Sequence, residues 1–119
     1  MGIGGVFFRA KNAPALRAWY AEHLGIEIED WGGQVFMASD GDQTVWCAFV
    51  RDTAYFGNRR QQWMLNYRVR DLDAMLAQLR EAGANVEDRV EEDENGRFGW
   101  ATDPEGNRFE LWQPRRGAQ

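Results

Sequence analysis

The chain has 119 residues, 44% hydrophobic and 28% charged, with six tryptophans, so it has the apolar volume for one domain with its own core and is not an unstructured chain. Its formal charge of −5 argues against general attraction to nucleic acid or an anionic membrane surface, and leaves room only for a local basic pocket. A single cysteine, Cys47, excludes an intrachain disulfide and a multi-cysteine metal site and suits a buried thiol in a reducing compartment.

At the start of the chain, MGIGGVFFRAKN has no basic stretch before its apolar run, and Arg9 interrupts that run too early for a signal peptide. No segment approaches the ~20 apolar residues of a membrane span, so a cytoplasmic location is expected. Ile3 to Ala10 reads as a strand rich in Val and Phe. Asn12 and Pro14 then start a helix that runs to about Leu24, with Leu16, Trp19, Tyr20 and Leu24 at helical spacing and Gly25 as its left-handed cap. His23 falls in the last turn, where a cation suits the helix dipole. Short β-compatible runs follow at Glu27 to Asp30, Gln34 to Ser39 and Thr44 to Val50, separated by Gly32-Gly33 and by Asp40-Gly41-Asp42. Arg51 to Gln62 has no clean period and reads as a connector, although Tyr55 and Phe56 are bulky for a free loop and are expected to pack back, over a cleft mouth or in a dimer contact.

The second half repeats this order. A strand from Trp63 to Val69 precedes a helix from Leu72 to Ala82, capped by Asp71 and ended by Gly83. Strands near Val86 to Val90, Arg97 to Thr102 and Arg108 to Gln113 follow. Laying FRAKNAPALRAWYAE over YRVRDLDAMLAQLRE matches Arg9 with Arg68, Ala15 with Ala74, Ala18 with Ala77 and Glu22 with Glu81, and superposes the N-cap types Asn12 and Asp71. The natural inference is an internal duplication within an α+β fold of two tandem βαβββ modules. It forms one domain over residues 1–119, with module one at about 3–50, the connector at 51–62 and module two at about 63–114. The acidic run from Glu87 to Asn95 is read as a solvated hairpin end without a partner.

Asp103-Pro104-Glu105-Gly106-Asn107 followed by Arg108-Phe109-Glu110-Leu111-Trp112 is a tight turn feeding an alternating strand. Together with Trp19-Tyr20, Leu24-Gly25 and the repeated element order, DPEGNRFELWQP resembles the C-terminal signature of the vicinal-oxygen-chelate superfamily of glyoxalases, bleomycin-resistance proteins and dioxygenases. The resemblance implies a curved mixed sheet around a cleft that in many members holds a divalent metal by four ligands from the first and last strands of each module. It assigns Glu110 to one of these places. The other three fall on Gly5, which has no side chain, on Met64, a soft thioether, and on the run Thr44 to Val50, where Cys47 is the only conceivable donor. No cofactor is therefore expected, and a divalent metal at Glu110 plus waters would be weak.

Strand alternation gives an independent reading of the cleft. In each strand one face is apolar and suits the helices, which turns Phe7, Arg9, Asn66, Arg68, Arg108, Glu110 and Trp112 toward the concave side, with Trp46 and Trp100 as further aromatic candidates. Arg9 and Arg68 either neutralise Glu110 in an ion network or leave positive charge for a carboxylate or phosphate on a ligand. Three functions stay open: a small-molecule-binding protein with a degenerate metal site and an aromatic or anionic ligand; a metal-dependent or Glu110-dependent lyase or isomerase of the glyoxalase type, with Glu110 as general base; and a non-catalytic dimeric interaction protein. A homodimer is expected in each.

Overall fold

The structure is a computed structural model that describes residues 1–38 and 41–115. Ser39, Asp40 and residues 116–119 lie outside the described residues, and with them the end of the strand expected at Gln34 to Ser39 and the start of the Asp40-Gly41-Asp42 turn.

The chain runs β1 (Gly2–Arg9), α1 (Ala13–Leu24), β2 (Gly33–Met37), β3 (Gln43–Phe49), β4 (Trp63–Arg68), α2 (Leu72–Glu81), β5 (Asn85–Val86), β6 (Glu91–Asp93), β7 (Gly96–Thr102) and β8 (Arg108–Pro114). Both helices start as their caps require: Asn12 accepts from the Ala15 amide at 3.1 Å and Asp71 from the Ala74 amide at 3.0 Å. Helix α1 stops at Gly25, whose φ of 72° is the left-handed value that a side chain disfavours.

The strands form one mixed sheet in the order β2-β3-β1-β4-β8-β7-β5, with β6 paired to β7. The duplication is visible in its register. Strand β1 runs parallel to β3 with Phe7 beside Cys47, and β4 runs parallel to β8 with Asn66 beside Glu110. The modules meet where β1 and β4 pair antiparallel.

The expected α+β architecture of two modules stands, but the strands divide unequally. Glu27 to Asp30 forms no strand: its backbone bends into a turn in which the Gly32 amide donates to Glu29 at 2.9 Å, while the Glu27 amide donates to the Gln34 side chain at 3.0 Å. In module two only Val86 of the expected Val86 to Val90 region is strand, as the second residue of β5, and the acidic run contributes β6, whose Glu92 faces Arg97 on β7. Opposite charges across a ladder stabilise such a short hairpin.

The helices cover one sheet face. On α1, Tyr20 meets Phe8 and Trp46 edge-on, at 6.3 and 5.1 Å between ring centres. On α2, the buried Leu72 and Leu76 pack with Val69, Leu111, Tyr67 and Phe109. Between the helices Trp63 stays 60% exposed. The other face carries the second core cluster, Phe7, Cys47, Phe56 and Met64, and the cleft.

Candidate functional site

The cleft is a cavity of about 350 Å³ whose walls include Phe7, Val45, Cys47 and Phe49 from module one and Asn66, Phe98, Glu110 and Trp112 from module two. Trp31, Val50, Tyr55, Arg17 and Asn95 complete it. Alternation explains the division: with Phe7 and Cys47 facing in, Phe8 and Trp46 must face the helix.

Glu110 is 2% exposed and Asn66 1%. A carboxylate so enclosed must be neutralised, protonated or hydrogen-bonded. Here three neutral donors surround it: the Asn66 amide at 2.5 Å on one oxygen, and on the other the Trp100 indole at 3.0 Å and the Tyr55 hydroxyl. Burial still dominates and raises the Glu110 carboxyl above its ordinary range, although the three hydrogen bonds pull the other way. Burial, and then the adjacent Glu110, likewise raise the Tyr55 hydroxyl. Stacking on Phe49, at 5.5 Å and 13°, and an edge contact with Trp100 fix the Tyr55 ring.

Asn66 is oriented by this arrangement, since its amide nitrogen must face the acid. Its Oδ1 is buried without a hydrogen-bond partner among the described residues and rests against Gly4, where a β-carbon would lie 2.1 Å away. Gly4 is the extra residue of a register shift between β1 and β4, a bulge that glycine alone permits at this distance.

Of the residues singled out in the sequence, Phe7, Asn66, Glu110 and Trp112 meet in the cavity. Trp112 stacks on Phe98 at 6.1 Å and 4°. Trp100 is fully buried and serves as a donor to Glu110. Trp46 lies on the helix face, beside Phe8 and Tyr20; it is adjacent in sequence to Cys47, and one strand cannot point both inward.

The three arginines sit at strand ends. Arg9 donates to the carbonyls of Arg51, Thr53, Asn58 and Gln61 at 2.8 to 3.4 Å and lies over Phe56, tying down the connector. Arg68 donates to the carbonyls of Ile3 and Gln43 and is 3.6 Å from Asp42. Arg108 holds Glu87 through two nitrogens, at 2.7 and 2.9 Å, and donates to the Tyr55 carbonyl. No ion pair links Glu110 to Arg9 or Arg68, and Glu87, the first residue of the acidic run, has a partner after all. That hydrogen-bonded arginine holds the Glu87 carboxyl below its usual range. Sequence reasoning left the place of Tyr55 open; its signal was the presence of two large aromatics in an aperiodic connector.

The four places of the implied metal site do not fit a divalent cation. Gly5 offers no side-chain atom, and the residues that stand beside Cys47 and Glu110 in the cavity are not Gly5 and Met64 but Phe7, a hydrophobe, and Asn66, an amide turned toward the acid. Burial pushes the Cys47 thiol up to about 11, Met64 is packed in the core cluster, and both Glu110 oxygens already accept hydrogen bonds. Among the described residues no three His, Cys, Asp or Glu side chains are placed to share a metal ion. Fixed aromatic walls above one enclosed acid can instead hold an apolar molecule and aim a single polar group at it.

The pattern of the glyoxalase-like domain family matches residues 5–112. Among solved structures, a variant of Streptomyces coelicolor methylmalonyl-CoA epimerase in complex with 2-nitronate-propionyl-CoA is 19% identical, with a TM-score of 0.71 over 96% of this chain and 97% of that one. Methylmalonyl-CoA epimerase from Mycobacterium tuberculosis is 24% identical, with a TM-score of 0.64 over 96% and 88%. A Legionella pneumophila structure described as NAD-dependent benzaldehyde dehydrogenase is 15% identical, with a TM-score of 0.62 over 93% and 98%. No curated protein matches the chain. At these identities the structural likeness speaks for the fold alone, whereas the family pattern spans nearly the whole sequence: the chain belongs to the glyoxalase-like domain family, within the vicinal-oxygen-chelate superfamily.

Proposed function

We propose that the chain is a small-molecule-binding protein whose cleft takes an uncharged aromatic ligand. One observation carries this reading: the cavity of about 350 Å³ is walled by Phe7, Phe49, Phe98 and Trp112, with Asn66 and Glu110 side by side among its polar groups. Its size falls in the range of small-molecule sites, roughly 300 to 1,000 Å³. An anionic ligand is less suited to the cleft, because Arg9 and Arg68 are committed elsewhere, Arg17 in the cavity lining spends two nitrogens on the Ala48 carbonyl at 2.6 and 3.1 Å, and Glu110 stands at the centre of the site.

Titration with 2-naphthol and 2-naphthoate tests the reading, because Trp31 and Trp112 line the cavity and their emission reports occupancy. 2-Naphthol is expected to quench emission and raise the melting temperature, with 2-naphthoate binding about tenfold more weakly and Glu110→Gln narrowing the gap. Equal affinity for the two, or naphthol binding that survives Trp112→Ala unchanged, would overturn it.

A second reading, a lyase or isomerase, rests on the raised Glu110 carboxyl, which suits an acid that accepts a proton from carbon and returns it. Deuterium uptake into the methyl group of bound acetophenone, lost in Glu110→Gln, would favour this second reading.

A further inference from the structure

Outside the cleft, a second cavity of about 310 Å³ is lined by Arg9, Lys11, Arg51, Asp52, Arg59 and Gln62. Four cations against one carboxylate stand out in a chain with a formal charge of −5. We propose that this pocket is a binding site for an oxyanion carrying two or more negative charges, of the phosphate or diphosphate type.

A contrast with four arginines elsewhere on the chain supports the assignment. Arg68, Arg89, Arg97 and Arg108 each have a carboxylate oxygen between 2.7 and 3.6 Å away. Among the described residues no such pair includes Lys11, Arg51 or Arg59, so their mutual repulsion is relieved by solvent or by an incoming anion. The frame that presents them is already built. The Arg9 guanidinium gathers the carbonyls of Arg51, Thr53, Asn58 and Gln61, and Asn58 Oδ1 accepts from the Arg60 and Gln61 amides at 2.9 and 2.8 Å. Arg51 and Arg59 are thus anchored at two points of one tightly bonded connector, and binding does not have to order it.

The chemistry selects the class of ligand. A guanidinium meets two oxygens of one phosphoryl group side by side, and a lysine adds a point charge. A monocarboxylate offers two oxygens and one charge to three free cations, whereas a diphosphate offers more of both. The pocket adjoins the cleft along the chain, Val50 lining the cleft and Arg51 the pocket, yet none of the lining residues is shared. The anion is therefore either a separate effector or the charged part of a longer cleft ligand.

Inorganic pyrophosphate titrated at low ionic strength, followed by amide shifts, tests the site, with acetate as the control. Pyrophosphate is expected to shift Lys11, Arg51 and Arg59, to bind far more tightly than acetate, and to weaken about tenfold in Lys11→Gln/Arg59→Gln. All of these side chains but Arg9 are exposed, so the variant keeps its fold, and Arg59→Glu gives an independent second loss. Unchanged pyrophosphate binding in both variants, or shifts no different from those with acetate, overturns the proposal. Naphthol binding in the cleft is expected to be unaffected by these substitutions, which separates failure here from failure of the cleft reading. Competition between pyrophosphate and a phosphorylated naphthol, with none against naphthol itself, identifies the longer-ligand source, and its absence the separate effector.

Discussion

The two walls of the cleft occupy equivalent places in the two modules and differ in chemistry. Phe7 and Cys47 stand side by side on β1 and β3; Asn66 and Glu110 stand side by side on β4 and β8. The first pair is satisfied by apolar contact with Phe56 and Met64. The second needs a complete set of partners, and the fold supplies them from three directions: Asn66 on the neighbouring strand, Trp100 on β7 and Tyr55 from the connector. One scaffold position tolerates a buried acid where donors converge and a hydrophobe where they do not, because an unpartnered polar group in such a place costs more than a hydrogen bond returns.

Exchanging that chemistry is the strongest way to break the comparison. Phe7→Asn gives module one the residue that module two has at the equivalent place, without an acid beside it. It removes a ring that is 7% exposed and buries an amide without partners, at an expected cost of about 4 kcal/mol, read by urea unfolding. A cost under about 1 kcal/mol would mean that the walls are interchangeable and that the donor set around Glu110 is incidental.

The fold was largely legible in the sequence because its signals are local: the caps at Asn12 and Asp71, Gly25 after a periodic helix, and the turn at Asp103 to Asn107. The strand expected at Glu27 to Asp30 failed because short apolar alternation says nothing about whether a neighbouring strand is there to pair with. The site was legible in part. Alternation selected the face that holds Phe7, Asn66, Glu110 and Trp112, but gives no position along a strand, so Arg9, Arg68 and Arg108 were grouped with them although, at the strand ends, Arg9 and Arg108 bond the connector and Arg68 bonds the ends of β1 and β3. Tyr55 reaches Glu110 across 55 residues of chain, a contact that no local pattern encodes.

The Tyr55 contact offers a milder test with a definite pH sign. The Glu110 carboxyl is raised in the folded protein from an ordinary value of 4.5, so the folded state holds that proton more tightly than the unfolded chain. Its contribution to stability is fully present below 4.5 and is lost as pH rises through the raised folded value. The Tyr55 hydrogen bond opposes the rise, and Tyr55→Phe is expected to raise the carboxyl further. Its cost should therefore be small near pH ~4 and about 1–2 kcal/mol near pH ~8, compared by denaturant unfolding at the two values. Equal costs at both would show that the hydroxyl does not bear on the charged acid.

The smallest effect concerns the apolar wall. Burial pushes the Cys47 thiol up to about 11, with Arg17 pulling weakly the other way, so near pH ~8 the thiolate fraction is on the order of one in a thousand. Labelling by a disulfide reagent is expected to be about two hundred times slower than for a free cysteine, whose thiolate fraction is roughly a quarter under the same conditions. Occupation of the cleft by 2-naphthol should slow it again, because Cys47 lines the same cavity. Labelling at the free-thiol rate would show that module one's wall opens to water, and a wall that opens can neither stay dry without donors nor hold an apolar ligand, so the difference between the two walls would then lie in their mobility and not in their partners.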